Sequence, residues 1–402
     1  MKVLIINSVC GVGSTGHIVS DLWRTCKQRG FEVKVAYGTG DSKYVSSNDL
    51  FKISSNTDYY LHNFLSRITD RAGFYSKHST HKLIDFLEEY NPDIIHLHNL
   101  HGYYVNIDIL FRYISMRNIP VVWTLHDCWA LTGHCAHFSY VKCDKWKNNC
   151  EKCDNKDLYP KSILMNQSNR NYLQKKELFS KLEKIVVTVP SLWLKSVVEK
   201  SFLKCHPIKI IPNGIDLNVF RYVKSNIKKE YKIENKKIVL AVSNVWYEKK
   251  GLYDIIRLSD LLDDTYKLVV IGVDSKQKEL FTDKVLTIKR TTDLDELVRW
   301  YSAADVFINP SYEETMGMTT YEALACETPV VVYDKTALPE AVNGENGEVV
   351  SAGNISELKE AIIKVVSRKD SYRTRKTISQ YDVSIINEKL VNLYLNLYKG
   401  KI

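Results

Sequence analysis

Asn309-Pro-Ser-Tyr-Glu-Glu-Thr-Met-Gly-Met-Thr-Thr-Tyr-Glu-Ala-Leu-Ala-Cys-Glu-Thr-Pro-Val330 sets out the unit from which the chain is built. An apolar run, Val306–Asn309, ends at Pro310. A polar loop carries Glu313 and Glu314, a helix begins near Met318, and a second apolar run follows at Val330–Tyr333. Unbroken Val/Ile runs mark strands buried on both faces, and helical segments between them require parallel pairing. The same unit recurs along the chain. Lys2–Asn7, Glu32–Tyr37, Asp93–His98, Val121–His126 and Lys184–Pro190 form one series of expected strands. Ile208–Ile211, Ile238–Ser243, Leu268–Gly272, Val285–Lys289 and the two runs quoted first form another. Two such series predict an α/β protein of two doubly wound, Rossmann-like domains facing across a cleft. Turn chemistry in Ile210-Ile-Pro-Asn-Gly-Ile-Asp216 places the boundary near 190–215, with domains expected at 1–190 and 191–380 and a closing segment at 381–402.

The 402 residues suit two or three domains of ~150 residues each. A hydrophobic share of 45% and a charged share of 26% exclude collagen-like, coiled-coil and wholly disordered chains. The net charge of +9 suits an anionic partner: a phosphorylated metabolite, a membrane surface or nucleic acid. No apolar run reaches the ~18 residues of a membrane span. Met1–Gly13 reads as a first strand rather than a signal peptide, so a cytoplasmic chain with nine reduced Cys is expected.

Glu314 and Glu322 stand eight apart, on the loop and one turn into the helix. A carboxylate accepts two hydroxyl hydrogen bonds well, so the pair can hold a sugar and a ribose together. Met316, Gly317 and Met318 offer backbone N–H groups at the helix N-terminus between them. These carboxylates would repel a phosphate backbone, so nucleic acid is not an expected partner. At the other end of the chain, Gly11-Val-Gly-Ser-Thr-Gly16 follows the first strand and opens a helix. Gly13, Ser14, Thr15 and Gly16 there let the backbone approach a phosphate. A dinucleotide enzyme would also want an acid closing the second strand. That strand ends Val35-Ala-Tyr-Gly38, with Asp41 beyond it, which argues against NAD.

With these segments, Pro92–His98, His126-Asp127, Ile211–Asp216, Lys249–Gly251 and Tyr301–Asp305, the chain resembles retaining glycosyltransferases of the GT-B fold and the family 4 type. His98–Tyr104 and Thr124–Cys135 resemble a branch that assembles bacterial capsular, exopolysaccharide or O-antigen repeat units. The resemblance implies an N-terminal acceptor domain, a C-terminal nucleotide-sugar domain and a closing helix that returns to the first. It implies Glu314 on the donor sugar, Glu322 on the ribose, Lys250 on the diphosphate and His126 at the donor sugar or reaction centre. It implies front-face transfer from a UDP- or GDP-sugar to a lipid-linked or free saccharide at the inner membrane face, with no cofactor for catalysis. The family places an Arg six residues before the lysine; Asn244 stands there, leaving Lys249 or Arg290 to compensate. No carboxylate cluster of the Asp-x-Asp kind was expected beside these motifs. An epimerase or phosphorylase on the same scaffold, and a non-enzymatic basic binding protein, are the competing readings.

His96 and His98 alternate onto one face of their strand, and the strand-end groups His98, Asn99, His101, Tyr103 and Asp127 are candidates for the acceptor side. Cys135, Cys143, Cys150 and Cys153 could close a structural Zn²⁺ site; free buried thiols or a disulfide are the alternatives. Leu61, Phe64, Leu65 and Ile68 recur at helical spacing within Asp58–Arg71. They predict a core-facing helix with a basic outer face. If that face is functional, Arg67, Arg71 and Lys77 would meet an anionic membrane.

Overall fold

The computed structural model describes residues 1–40 and 43–401; Asp41 lies outside the described residues. The chain divides into two compact units, Met1–Pro212 with Ile386–Ile402, and Asn213–Ile385. The first holds β1 (Lys2–Val9), β2 (Glu32–Thr39), β3 (Leu50–Lys52), β4 (Ile94–Leu97), β5 (Val121–Thr124), β6 (Ile185–Val189) and β7 (Ile208–Ile210). They form one parallel sheet in the order β3-β2-β1-β4-β5-β6-β7. The second holds β8 (Lys237–Val242), β9 (Tyr266–Ile271), β10 (Val285–Ile288), β11 (Val306–Asn309), β12 (Val330–Tyr333) and β13 (Gly347–Val350). Its parallel order is β10-β9-β8-β11-β12-β13. Every residue of β4, β5, β6, β11 and β12 is buried, which explains why these strands read as unbroken apolar runs.

Two expectations are corrected. Ile208–Ile211 was placed in the second series, but β7 pairs with β6, Val187 opposite Ile208, and closes the first sheet. The division therefore falls at 212/213 and 385/386 rather than 190/191 and 380/381. The Val383–Tyr398 helix buries Ile386, Leu390, Leu393 and Tyr394 in one cluster with Val3, Ile5 and Val35 of the first sheet. The second correction concerns the Asn56–Thr69 helix, which buries His62 and Ser66 and leaves Leu61 and Phe64 exposed. His62 replaces the apolar anchor because both ring nitrogens are satisfied, by Ser76 Oγ at 2.8 Å and the Gly73 N–H at 3.1 Å.

In each sheet the strand order reverses once, between β1 and β4 and between β8 and β11. The loops leaving the carboxyl ends of two strands diverge there and open a crevice, the usual ligand position in such sheets.

Candidate active site

In the second unit, the two strands at the reversal carry the expected donor residues. After β8 the chain turns through Glu248–Lys250 into the Leu252–Leu261 helix; after β11 it runs from Pro310 to Gly317 and into the Met318–Ala325 helix. Gly251 locks the two loops together. Its φ is +81°, and a Cβ there would lie 2.3 Å from the Pro310 carbonyl oxygen. The Tyr312 N–H donates to the Lys249 carbonyl at 2.8 Å. Within this clamp Lys250 Nζ donates to Glu314 Oε1. Both side chains are largely buried, at 23% and 18% exposure, so the ion pair is only partly screened. The Glu314 N–H is held by Thr336 Oγ1 at 2.9 Å.

Glu322 does not share that pair. Its Oε2 accepts from the buried Tyr301 hydroxyl at 2.7 Å. Burial pushes its pKa up to about 7, against the lowering effect of that hydrogen bond. Gly317 caps the Met318–Ala325 helix at φ +77°, with no side-chain cap and no acid in the first turn; the Thr320 N–H donates to the Gly317 carbonyl at 2.9 Å, and those of Met318 and Thr319 are available to an anion. Met316 is buried, its sulfur accepting from the Asn213 N–H at 3.2 Å. Asn244 and Arg290 are exposed. Arg290 follows β10, two strands and roughly 10 Å from β8, and among the described residues neither joins the Lys250–Glu314 pair. The chain does hold an Asp-x-Asp, Asp293-Leu-Asp295, but Asp293 caps a helix by accepting from the Glu296 N–H at 2.8 Å.

In the first unit, β1 leads through Gly11 (φ +67°) into the Gly13–Gln28 helix, whose first turn has no acid and no side-chain cap. Gly13, Ser14 and Thr15 present their backbone at that N-terminus, and Gly16 closes the loop by accepting from the Gly11 N–H at 3.2 Å. Beside it, His98 leaves β4 and His126 leaves β5. Their rings stack at 5.2 Å, with His98 Nδ1 2.9 Å from His126 Nε2. Burial pushes His126 down to about 4 and His98 well below the usual histidine range, so both rings are neutral at pH 7. His101 Nε2 meets Asp127 Oδ2 at 2.6 Å, and its Nδ1 meets the Tyr159 hydroxyl at 3.1 Å. Burial alone would raise Asp127, but His101, His137 and the Trp129 N–H outweigh it and hold the carboxyl below the usual range. Asn99 is fixed by its N–H to Asn7 Oδ1 at 3.2 Å, and Tyr103 is buried at φ +63°.

Residues 15–219, just over half of the chain, match the family described as Glycosyltransferase Family 4. The chain belongs to that family. Residues 223–382 match a second description, Glycosyl transferases group 1. WcaC of Escherichia coli K12, provisionally assigned as a colanic acid biosynthesis glycosyl transferase, is 24% identical over 99% of this chain and 100% of its own. The capsular polysaccharide biosynthesis glycosyltransferase CapM of Staphylococcus aureus is 27% identical over 46% of this chain and 54% of its own. Among solved structures, sucrose-phosphate synthase from Thermosynechococcus elongatus superposes with a TM-score of 0.73 at 15% identity, covering 99% of both chains. HepE of Anabaena, solved with UDP-glucose, superposes at 0.67 and 16%, covering 98% of this chain and 99% of that one. These likenesses, with the two Rossmann-like sheets, give this family 4 member the fold of GT-B glycosyltransferases.

Of the three readings open for Cys135, Cys143, Cys150 and Cys153, the fold favours buried thiols. Among the described residues no three His, Cys, Asp or Glu side chains are grouped to hold a metal ion, and no two Cys are joined by a disulfide. Cys135 and Cys150 belong to the hydrophobic core, with Cys143 packed against it. Burial raises the Cys150 thiol to about 11 and raises Cys153 too, which favours neutral thiols over thiolates. The nearby His134 pairs instead with Asp70, Nδ1 to Oδ1 at 2.5 Å.

Three supporting residues escaped the sequence reading. Tyr301 lies in the quoted Tyr301–Asp305 segment, yet nothing marked its hydroxyl as the partner of Glu322. Tyr159 is far in sequence from His101. Tyr394 Oη meets His96 Nδ1 at 2.5 Å, while Thr124 Oγ1 meets Nε2 at 2.7 Å, which makes His96 a satisfied core group rather than an active-site one.

Proposed function

We propose that this chain moves a hexosyl group from a nucleoside-diphosphate sugar to a saccharide acceptor, with retention, in the assembly of a bacterial surface polysaccharide. The observation that carries the reading is the Lys250–Glu314 pair at the β8/β11 reversal, with Glu322 eight residues on. A leaving nucleoside diphosphate develops negative charge as the anomeric bond breaks. The Lys250 ammonium and the open N–H groups at Met318 are suited to that charge, and preorganised electrostatics is usually the largest catalytic term. Glu314, turned from Lys250 toward the sugar, accepts from its hydroxyls. Glu322 accepts from the ribose. The departing phosphate takes the acceptor proton, so no dedicated base is needed. Neutral His126 contributes hydrogen bonds, not a proton, and the His101–Asp127 side of the first unit is assigned the acceptor. UDP is the first donor nucleotide to try, since HepE was solved with UDP-glucose; GDP is the second. WcaC and CapM support the polysaccharide setting by their names. A lipid-linked acceptor at the inner membrane face fits the same setting.

The test is a panel of UDP- and GDP-sugars incubated with the chain and a saccharide acceptor, with the product read by NMR. A new glycosidic bond of the same anomeric configuration as the donor is expected. An inverted product, or an epimerised donor with no transfer, would overturn it.

A further inference from the structure

Two of the apolar residues expected to face the core from the Asn56–Thr69 helix, Leu61 and Phe64, stand outside it, and they are not alone. Tyr60, Leu61 and Phe64 on the helix, and Ile163, Leu164 and Met165 on a later loop, are between 49% and 69% exposed. The two segments are bound side by side: the Ile163 N–H donates to the Arg67 carbonyl at 2.7 Å and the Met165 N–H to the Ile68 carbonyl at 3.0 Å. Ser162 Oγ, donating to the Met165 carbonyl at 2.9 Å, tightens the loop that carries these three exposed apolar side chains. Six large exposed apolar groups on two segments bound to each other are more than scattered exposure explains.

Cations rim this surface. Arg67 borders it on the helix, and Lys156 Nζ reaches the Leu164 carbonyl at 3.5 Å. Lys161 precedes the loop, paired with Asp157 at 3.6 Å. Exposed Lys77 and Lys82 follow on the Lys77–Tyr90 helix, whose Ser79 hydroxyl donates to Asp58 in the first helix's opening turn. Arg71, by contrast, is turned inward, donating to Asn171 and Gln174 at 2.8 and 2.7 Å and stacking on Phe74. An apolar wedge with a basic rim is the pattern of interfacial membrane segments. The wedge also connects to the acceptor side of the same unit. Tyr60 touches Tyr59, which touches Tyr103; Tyr103 touches Tyr159, the hydrogen-bond partner of His101.

We propose that the Tyr60–Phe64 face and the Ile163–Met165 loop insert together into the interface of an anionic phospholipid membrane. The inference deepens the lipid-linked acceptor half of the reading above, and it replaces adsorption by charge with insertion of apolar side chains. Insertion leaves binding largely resistant to salt, whereas adsorption by charge does not.

The test uses the full chain with vesicles of phosphatidylcholine alone and of phosphatidylcholine mixed with phosphatidylglycerol. The chain should sediment with the mixed vesicles at low and at high salt. Phe64→Ser with Leu164→Ser should weaken binding by roughly tenfold or more for each side chain, with the melting temperature and donor hydrolysis unchanged. Leu164→Trp should add emission that shifts to the blue only with vesicles, a readout independent of the double variant's folding. Binding that salt abolishes and the serines leave intact would overturn the proposal. So would a chain that binds neither vesicle, or a dimer in sedimentation velocity that the serines dissolve. Vesicle binding without sugar transfer would keep this inference and remove the transferase reading; transfer without vesicle binding would do the reverse.

Discussion

Glu322 is the side chain whose environment most constrains its use. Burial lifts it to about 7, so at neutral pH the carboxyl is poised between its forms. Only the carboxylate accepts two ribose hydroxyls, so nucleotide affinity should fall as pH drops through about 7. Glu322→Gln should bind nucleotide roughly ten- to a hundredfold more weakly and lose that pH dependence. Calorimetric titration with the nucleoside diphosphate between pH 6 and 8 checks both, as conditions chosen around ~7. His126 gives the opposite expectation. With its folded pKa near about 4, it stays neutral throughout the working range. The kcat profile should show no acid limb near 6.5, and His126→Asn, which keeps a neutral hydrogen-bonding group, should retain more rate than His126→Phe. An imidazolium acting as general acid would instead make the rate fall as pH rises through its pKa, and both variants would lose that fall.

Gly251 joins two loops that the second sheet only brings near each other. Gly251→Ala adds a Cβ 2.3 Å from the Pro310 oxygen at a φ of +81°, so a strain of about 1–3 kcal/mol and a melting temperature lower by several degrees are expected. An unchanged melting temperature would mean the clamp is loose. The long buried strands were legible because a Val/Ile run covered on both faces has no polar partner to disguise it. β3 (Leu50-Phe-Lys52) and β13 (Gly347-Glu-Val-Val350) were missed because Lys52 in one and Gly347 and Glu348 in the other break the apolar run. The Asn56–Thr69 helix was misread for a different reason. Spacing finds an apolar stripe but cannot say that hydrogen-bonded His62 lies inward while Phe64 lies outward. Composition left zinc, buried thiols and a disulfide open for Cys135–Cys153; the fold places Cys135 and Cys150 in the hydrophobic core, and Gly133, whose Cβ would sit 1.9 Å from the Ser168 oxygen, packs the adjoining chain closely. Treatment with a chelator should leave the melting temperature unchanged. A chelator-sensitive melt with about one zinc per chain would restore the four-thiolate site.

The two units carry opposite proton linkages. In the first, His62, His96 and His126 fall from 6.5 to about 3, 3 and 4 on folding, each through burial. The unfolded chain binds more protons there, so this unit loses stability as pH drops below about 6.5. In the second, Glu322 rises from 4.5 to about 7, so its burial costs stability as pH rises from 4.5 to 7 and is relieved by acid. Hydrogen exchange at mildly acidic pH should therefore open β1, β4 and β5 before β8 and β11; uniform opening would contradict the linkage.

The central claim is that the carboxyl ends of β8 and β11 hold a nucleotide sugar through Lys250, Glu314 and Glu322. The most direct measurement is calorimetric binding of UDP- and GDP-sugars to the intact chain, beside Glu322→Ala, Glu314→Ala and, as a control in the core of the first unit, Cys150→Ser. One donor should bind the intact chain and Cys150→Ser alike. Glu322→Ala should weaken it roughly tenfold or more, while Glu314→Ala binds and turns over poorly. No binding by any donor, or binding that neither glutamate affects, would contradict the claim.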